Sequence, residues 1–484
     1  MKVAVTYPPL RSEKGYPTLG QNRQFQWFNN PSYLYPVVPA SAATLLKNDG
    51  FDVIWKDAIA EEMSWENYCK WFEREKPELA AIETKTPVIK QHWKTVSYLK
   101  ALSPGTEFVL MGDHVTALPK ESLVECPKLD YIITGGDYDF ALLKLAKYLR
   151  DGSEAPKGIW FRDNGAIRGS NEFEMIKDLD DLPFVDRDLT KWRLYKEYNF
   201  KGFPYTYIMS GRDCPWHKCA FCSWTTLYPN FRVRSTENVL DEIGMLIEKY
   251  GVKEIFDDTG TFPTGKWLER FCDGMIQRGY NEEVLFSCNM RFDYITPERA
   301  KLMKKAGFRL LKLGLESANQ ETLDRLNKGM NVDQILSGCK AAKEAGLVVH
   351  LTMMVGHPWE SKEQALRTLK LAKKLMISGD ADVLQATVLI PYPGTPLYKE
   401  ALENGWFRID PKDYERYDMR EPVLKTPMRP EEVMNICDRI YTDIFLDPRY
   451  ILNRLIGIRD AEDVRFVLKG ARAVLGHIKD FRGI

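Results

Sequence analysis

No apolar run in this 484-residue chain approaches the roughly 20 residues that a membrane-spanning helix needs. An excess of charge is missing too, since Lys plus Arg and Asp plus Glu both number 68. That balance excludes the basic footprint of a nucleic-acid binder, and no nucleic-acid partner is expected. The start, Met1-Lys2-Val3-Ala4-Val5, has no apolar signal core behind it and reads as a strand. Cysteine is sparse. Six of the nine, Cys69, Cys126, Cys272, Cys288, Cys339 and Cys437, stand singly and read as buried thiols of a protein in a reducing cytoplasm. No cysteine pair at zinc-ribbon spacing follows the remaining three.

What is present begins with length, which allows two or three domains with separate cores. Residues 1–150 alternate apolar runs with helical periodicity. Strands are predicted at 3–7, 52–55, 79–82, 108–111 and 131–134. Helices are predicted at about 40–49, 64–76, 88–102, 119–126 and 138–150. Such βαβ alternation means a doubly wound parallel sheet with ligands at the carboxyl ends of its strands. Those ends carry Tyr7-Pro8-Pro9, Gly112-Asp113-His114-Val115-Thr116 and Gly135-Gly136, whose glycines would let the backbone approach a flat ligand. A long insert, Gly15 to Pro39, holds Tyr16, Phe25, Trp27, Phe28, Tyr33 and Tyr35. It reads either as packing across a domain interface or as a wall of a cavity.

Residues 151–200 read as a connector, with a hairpin at 158–165 and an extended segment at 179–184. From 201 to 405 the βα alternation resumes, with strands at 205–210, 254–258, 284–290, 310–316, 349–356 and 383–390. Six such units fit a partial (β/α) barrel, whose chemistry gathers at the C-terminal strand ends. Those ends carry three cysteines, Asp257-Asp258-Thr259, Asn289 with Arg291, Glu316-Ser317, Gly356-His357-Pro358 and Pro391-Tyr392-Pro393-Gly394-Thr395. One such residue alone is a helix cap; the set on one rim is a site. Thr236 with a downstream acid marks a helix start. Residues 406–484 read as an irregular aromatic stretch and then amphipathic helices that cap the barrel's open side.

The three clustered cysteines, Cys214, Cys219 and Cys222, lie on one loop after the first barrel strand. Three thiolates suit a soft metal or an iron–sulfur cluster, and a 4Fe–4S cube so held keeps one iron open. The alternative is a single zinc ion with His217 as fourth ligand.

This loop resembles the cluster loop of radical S-adenosylmethionine (radical SAM) enzymes, with Phe221 as the aromatic before the last cysteine. Its first gap is four residues, where that family has three. Tyr-Pro-Pro, Gly-Asp-His-Val-Thr-Ala-Leu-Pro and Asp130-Tyr131-Ile132-Ile133-Thr134-Gly135-Gly136 resemble segments of the cobalamin-binding domain that precedes the barrel in one subfamily. The resemblance implies an N-terminal Rossmann-like cobalamin domain, a radical SAM partial barrel and a small helical C-terminal region. It implies cluster ligation by Cys214, Cys219 and Cys222. S-adenosylmethionine contacts fall to Phe221, Asp257, Asp258, Arg291, Glu316 and Gly356. Cobalamin contacts fall to Tyr7, Pro8, Gly112, Asp113, His114, Thr116 and Gly135, with no cobalt-ligating histidine assigned. The implied activity is methylation of an unactivated carbon or phosphorus centre of a small molecule, with an electron donor such as ferredoxin or flavodoxin. A radical cyclisation or rearrangement, or a non-catalytic corrinoid or iron–sulfur carrier, are the alternatives.

Overall fold

Strands apolar on both faces need helices on both sides of their sheet, and the first part of the chain supplies them. The computed structural model describes residues 1–19, 25–197, 200–458 and 461–482. Strand β1 (Lys2–Tyr7) is followed by a small hairpin, β2 (Tyr16–Thr18) and β3 (Gln26–Phe28). Then come β4 (Asp52–Asp57), β5 (Leu79–Glu83), β6 (Glu107–Met111) and β7 (Tyr131–Ile133). All five expected strands form, in the order β4-β1-β5-β6-β7, parallel throughout. Helices Val37–Asn48, Trp65–Glu75, Ile89–Leu102, Pro119–Glu125 and Tyr138–Asp151 lie where the periodicity puts them.

Two local expectations change. The hairpin β8 (Ile159–Asp163) and β9 (Ala166–Gly169) is not a free connector but prolongs the sheet, β8 pairing antiparallel with β7 from Tyr131–Phe161 to Ile133–Ile159. An uncovered β7 would present a row of unpaired backbone groups, and the hairpin covers them. The segment expected to be extended at 179–184 begins as a single turn, Leu179–Asp181, capped by the Asp178 carboxylate.

The second sheet contains β10 (Tyr205–Ile208), β13 (Glu254–Asp257), β14 (Leu285–Met290), β15 (Phe308–Glu316), β16 (Val348–Val355) and β17 (Val383–Val388). These six strands lie in chain order and are all parallel, while β11 (Gly211–Arg212) and β12 (Arg232–Val233) form a small ribbon beside them. Among the described residues β10 and β17 do not pair, so the barrel stays open along one side. Helix starts follow the sequence signals, with Asn331/Gln334 and Ser361/Gln364 closing reciprocal capping boxes. One cap shifts: Ser235, not Thr236, accepts from Asn238 N–H, and Thr236 is the first helical residue.

Helix Pro430–Asp443 packs on β16 and β17, and helix Ala461–Arg482 runs from it to β3, across the open side of the barrel. Arg212 of β11 donates to Asp139 of the first unit at 2.7 Å, and Gly136 N–H donates to Leu227 C=O at 2.8 Å, which fastens the two sheets together. All nine cysteines are free. No helix among the described residues is long and apolar enough to cross a membrane.

Candidate functional site

The loop that carries the cysteines is built by its neighbours. Asp257, at the end of β13, accepts from Ser210 N–H at 2.8 Å, from the Ser210 hydroxyl and from Thr259 N–H at 3.0 Å. Burial pushes its carboxyl up to about 6. Gly260 lies against this loop, since a Cβ there would stand 2.9 Å from Asp213 C=O. Two left-handed residues, Asp213 (φ 76°) and His217 (φ 48°), turn the chain around the four-residue gap. Ala220 N–H donates to Leu326 C=O, and Leu397 N–H donates to Ala220 C=O, both at 2.9 Å. The indole of Trp216 donates to Asn327 C=O at 2.6 Å and packs against Gly329, where a Cβ would be 1.9 Å from the ring.

So held, Cys214, Cys219 and Cys222 all face one cavity of about 760 Å³. The Cys214 sulfur stands 3.1 Å from the Thr261 hydroxyl. Burial raises the Cys219 thiol, against the opposing pull of the Lys328 ammonium, and raises Cys222 well above the ordinary thiol range. Neutral in isolation, these thiols become thiolates on binding a metal. His217, the fourth ligand of the zinc alternative, sets its Nδ1 against the Asp213 carboxylate. Among the described residues no three His, Cys, Asp or Glu side chains converge on a point suited to a single ion. A cluster that takes each thiolate on a different iron needs no such convergence, and the donor set fits it.

The rim beyond the cysteines is ordered by Glu316. It sits at a break in the register of β15 with β16 and has φ 56°, a left-handed conformation that costs a non-glycine residue about 1–3 kcal/mol. Its carboxylate accepts from the Lys328 ammonium at 2.6 Å, and both groups are buried. Burial alone would lower Lys328, but the Glu316 charge overrides it and raises the ammonium above its ordinary range. Gly314 makes room for the pair, for its Cβ would fall 2.0 Å from Glu316 Oε1 and 2.6 Å from Lys328 Nζ. The Lys328 ammonium also lies 5.8 Å over the Phe221 ring. Behind Glu316, Ser317 donates to Glu360 at 2.7 Å, and Glu360 pairs with His357 at 2.7 Å. Burial opposes ionisation of Glu360, yet these partners hold it down at about 2.

Phe221, Asp258, Arg291 and Glu316 therefore line the same cavity as the cysteines, together with Asn289. Arg291 is held by a two-pronged contact with Asp293, both at 3.0 Å, and lies 4.9 Å over Trp216. Asp257 and Gly356 are not among the lining residues. Asp257 is consumed in holding the loop, and the missing Cβ of Gly356 (φ 92°) would meet Val433 of the tail at 3.3 Å. Lys328 and Thr261 carry no sequence signal; only the fold brings them to the cysteines. The insert and the tail supply further walls through Thr18, Gln26 and Phe28 on one side and Tyr441, Ile451 and Phe466 on the other.

The edge of the first sheet is different. None of Tyr7, Pro8, Gly112, Asp113, His114, Thr116 and Gly135 lines this cavity. Tyr7 and Tyr138 donate to the buried Glu83, the latter at 3.1 Å, and Asp113 pairs with Lys85 at 3.2 Å. Thr116 donates to Gly112 C=O at 2.7 Å and accepts from Gly135 N–H at 3.1 Å. The glycines serve the chain itself. A Cβ at Gly112 would stand 2.4 Å from Thr84 C=O, and one at Gly135 would stand 3.0 Å from Phe173. His114 is fully buried, which drives it down to about 3. Its Nδ1 meets the Thr86 hydroxyl at 3.2 Å and its ring stands edge-on to Tyr414, while Nε2 finds no partner among the described residues.

Comparison with known proteins bears on this arrangement. Residues 208–372 match the model of the radical SAM superfamily. An uncharacterized methyltransferase of Pyrococcus horikoshii is 27% identical over 92% of this chain and 93% of its own. An anaerobic magnesium-protoporphyrin IX monomethyl ester cyclase of Cereibacter sphaeroides is 27% identical over 78% of this chain and 62% of its own. Among solved structures, the radical S-adenosylmethionine methyltransferase TsrM of Kitasatospora setae, with cobalamin and a 4Fe–4S cluster bound, superposes over 99% of both chains. The TM-score is 0.70 at 14% identity, which establishes a shared fold. Residues 208–372, in the second unit of this chain, thus match a radical SAM domain, and the whole chain, including the first sheet unit, shares its fold with that structure.

Proposed function

We propose that the protein is a cobalamin-dependent radical SAM enzyme that methylates an unactivated centre of a small molecule. The observation that carries the reading is the convergence of three cysteines, Asp258, Arg291 and the Glu316–Lys328 pair on one cavity inside a radical SAM domain. When bound, the cluster with S-adenosylmethionine supplies a 5′-deoxyadenosyl radical and cobalamin supplies a transferable methyl group, chemistry that no side chain provides.

The chain's own residues hold and orient. Cys214, Cys219 and Cys222 take the cluster on a loop braced by Asp257, Ala220 and Trp216. Asp258 and Glu316 offer carboxylates to the amino group and ribose hydroxyls of S-adenosylmethionine, through charge-assisted hydrogen bonds. Lys328 fixes the position of the buried Glu316 carboxylate through their contact at 2.6 Å. Phe221, which lines the cavity, would place its backbone at the adenine edge. For cobalamin, the whole-length likeness in fold supports a place at the first sheet's carboxyl edge. The unpartnered Nε2 of buried His114 fits a polar group presented there. A small electron-transfer protein of the ferredoxin or flavodoxin type supplies the electron.

The test is product stoichiometry after anaerobic reconstitution with cobalamin and a competent reductant. Methyl transfer requires 5′-deoxyadenosine and S-adenosylhomocysteine in near-equal amounts with methylated product. 5′-Deoxyadenosine alone would move the assignment to a cyclisation or rearrangement, the reaction class named by the cyclase relative. Neither product would leave a carrier.

A further inference from the structure

The cavity does not end at the cofactor rim. It runs on along the open side of the barrel, where its wall is the tail helix Ala461–Arg482, contributing Phe466, Val467, Gly470, Ala471 and Val474. Gly470 lies in this wall, and a Cβ there would meet no described atom outside its own helix backbone within 4 Å. A glycine in mid-helix is less favourable than an alanine, and among the described residues no contact outside the helix asks for it there. Its effect is to widen the cavity.

The mouth beyond that wall is apolar as well, apart from Arg454, whose guanidinium is held by Asp382 at 3.2 Å. Half of the exposed large apolar side chains among the described residues fall within 446–468. Leu446, Ile451 and Leu455, at 52, 43 and 52% exposure, line the cavity and face solvent at once. Apolar surface inside a cavity and outside it is thereby continuous. A soluble protein seldom leaves such a patch without a use.

We infer that this distal half is the substrate site, and that it takes an amphipathic substrate with a lipid-like apolar chain or fused-ring body. That body lies against the Gly470–Ala471 wall and leaves over the Leu446, Ile451 and Leu455 rim, while the polar end lies toward the cofactors. Burying one such chain carbon tightens binding by about fourfold, so a few carbons suffice for selective binding. The inference rests on the proposed function for the identity of the reaction, but the apolar site itself can be tested separately.

The test uses the full-length protein, anaerobically reconstituted, with dansylaminoundecanoic acid as the probe and S-adenosylmethionine binding measured in parallel. One saturable probe site is expected. Gly470→Trp, which fills the wall, should weaken the probe by on the order of tenfold and leave S-adenosylmethionine affinity unchanged. Gly470→Ala should leave both unchanged, and Ile451→Asp should weaken the probe alone. Unchanged probe affinity in a folded Gly470→Trp protein would overturn the inference. So would a dimer that Leu455→Asp dissolves without altering probe affinity, since the rim would then belong to a second copy. Loss of S-adenosylmethionine binding in the unmodified protein, with the probe still bound, would sink the proposed function and spare the apolar site.

Discussion

Replacing Glu316 by glutamine tests the rim most directly, because the structure fixes what must follow. The carboxylate stands 2.6 Å from Lys328 Nζ, and the two side chains keep only 8 and 10% of their exposure. Removing one partner of a buried pair costs on the order of 3–5 kcal/mol, most of it the stranded charge. In a domain of this size that lowers the melting temperature by roughly 6–20 °C. S-adenosylmethionine should bind more weakly by about 1.5–3 kcal/mol, or roughly tenfold to over a hundredfold. The pH dependence should change sign. With Glu316 present Lys328 is raised above 10.5, so the pair's contribution is intact below 10.5 and lost only as pH climbs through the higher folded value. Without Glu316, burial pushes the ammonium below 10.5, and the variant should regain stability relative to the parent as pH rises toward that value. Removing the second charge as well, in Glu316→Gln/Lys328→Met, should restore much of the loss. Gly314→Ala should weaken S-adenosylmethionine binding with no change of charge, because its methyl occupies the space of the pair. Denaturant unfolding at several pH values and equilibrium dialysis read these effects. A coupling energy near zero in the double-mutant cycle, with cofactor affinity intact, would refute the reasoning.

Other outcomes follow from the same structure. Alanine at Cys214, Cys219 or Cys222 should abolish iron–sulfur absorbance and cleavage of S-adenosylmethionine, whereas Cys69→Ala and Cys339→Ala should keep both; protein isolated without oxygen that holds zinc and no iron would count against the site. Asp257 sits at about 6 when folded against 3.8 unfolded, so the folded state loses about 3 kcal/mol at this group as pH rises from below 4 to above 6. Asp257→Asn should therefore gain on the parent over that window in chemical denaturation, and a constant difference would show the carboxyl to be ionised normally. Arg212→Met should strand the fully buried Asp139 and cost on the order of 3–5 kcal/mol, read as faster limited proteolysis between the two sheets.

What the sequence determined by itself was local. Strand and helix positions were legible because burial on one or both faces writes a period into neighbouring residues, and the eleven predicted strands of the two sheets all form. The cysteine loop was legible because its chemistry depends on residue type and short spacing, and Glu316 because an acid at the end of a barrel strand faces the rim. Tertiary structure decided the rest. Lys328 reaches Glu316 only through the turn of the intervening helix, and nothing in its flanking residues marks it as a partner. Gly112 and Gly135 look in sequence like a ligand's cradle, yet the fold brings Thr84 and Phe173 to them, a contact no local pattern encodes. Asp257 and Asp258 are neighbours with opposite fates, since successive side chains in an extended strand point to opposite sides. One braces the loop and the other faces the cavity. The cavity's far walls come from Thr18, Gln26 and Leu34 on one side and Tyr441, Phe466 and Val474 on the other, more than 400 positions apart, and meet beside the barrel only because its sheet fails to close. Periodicity describes which face of an element is apolar; which other element covers that face is set by the packing of the whole chain.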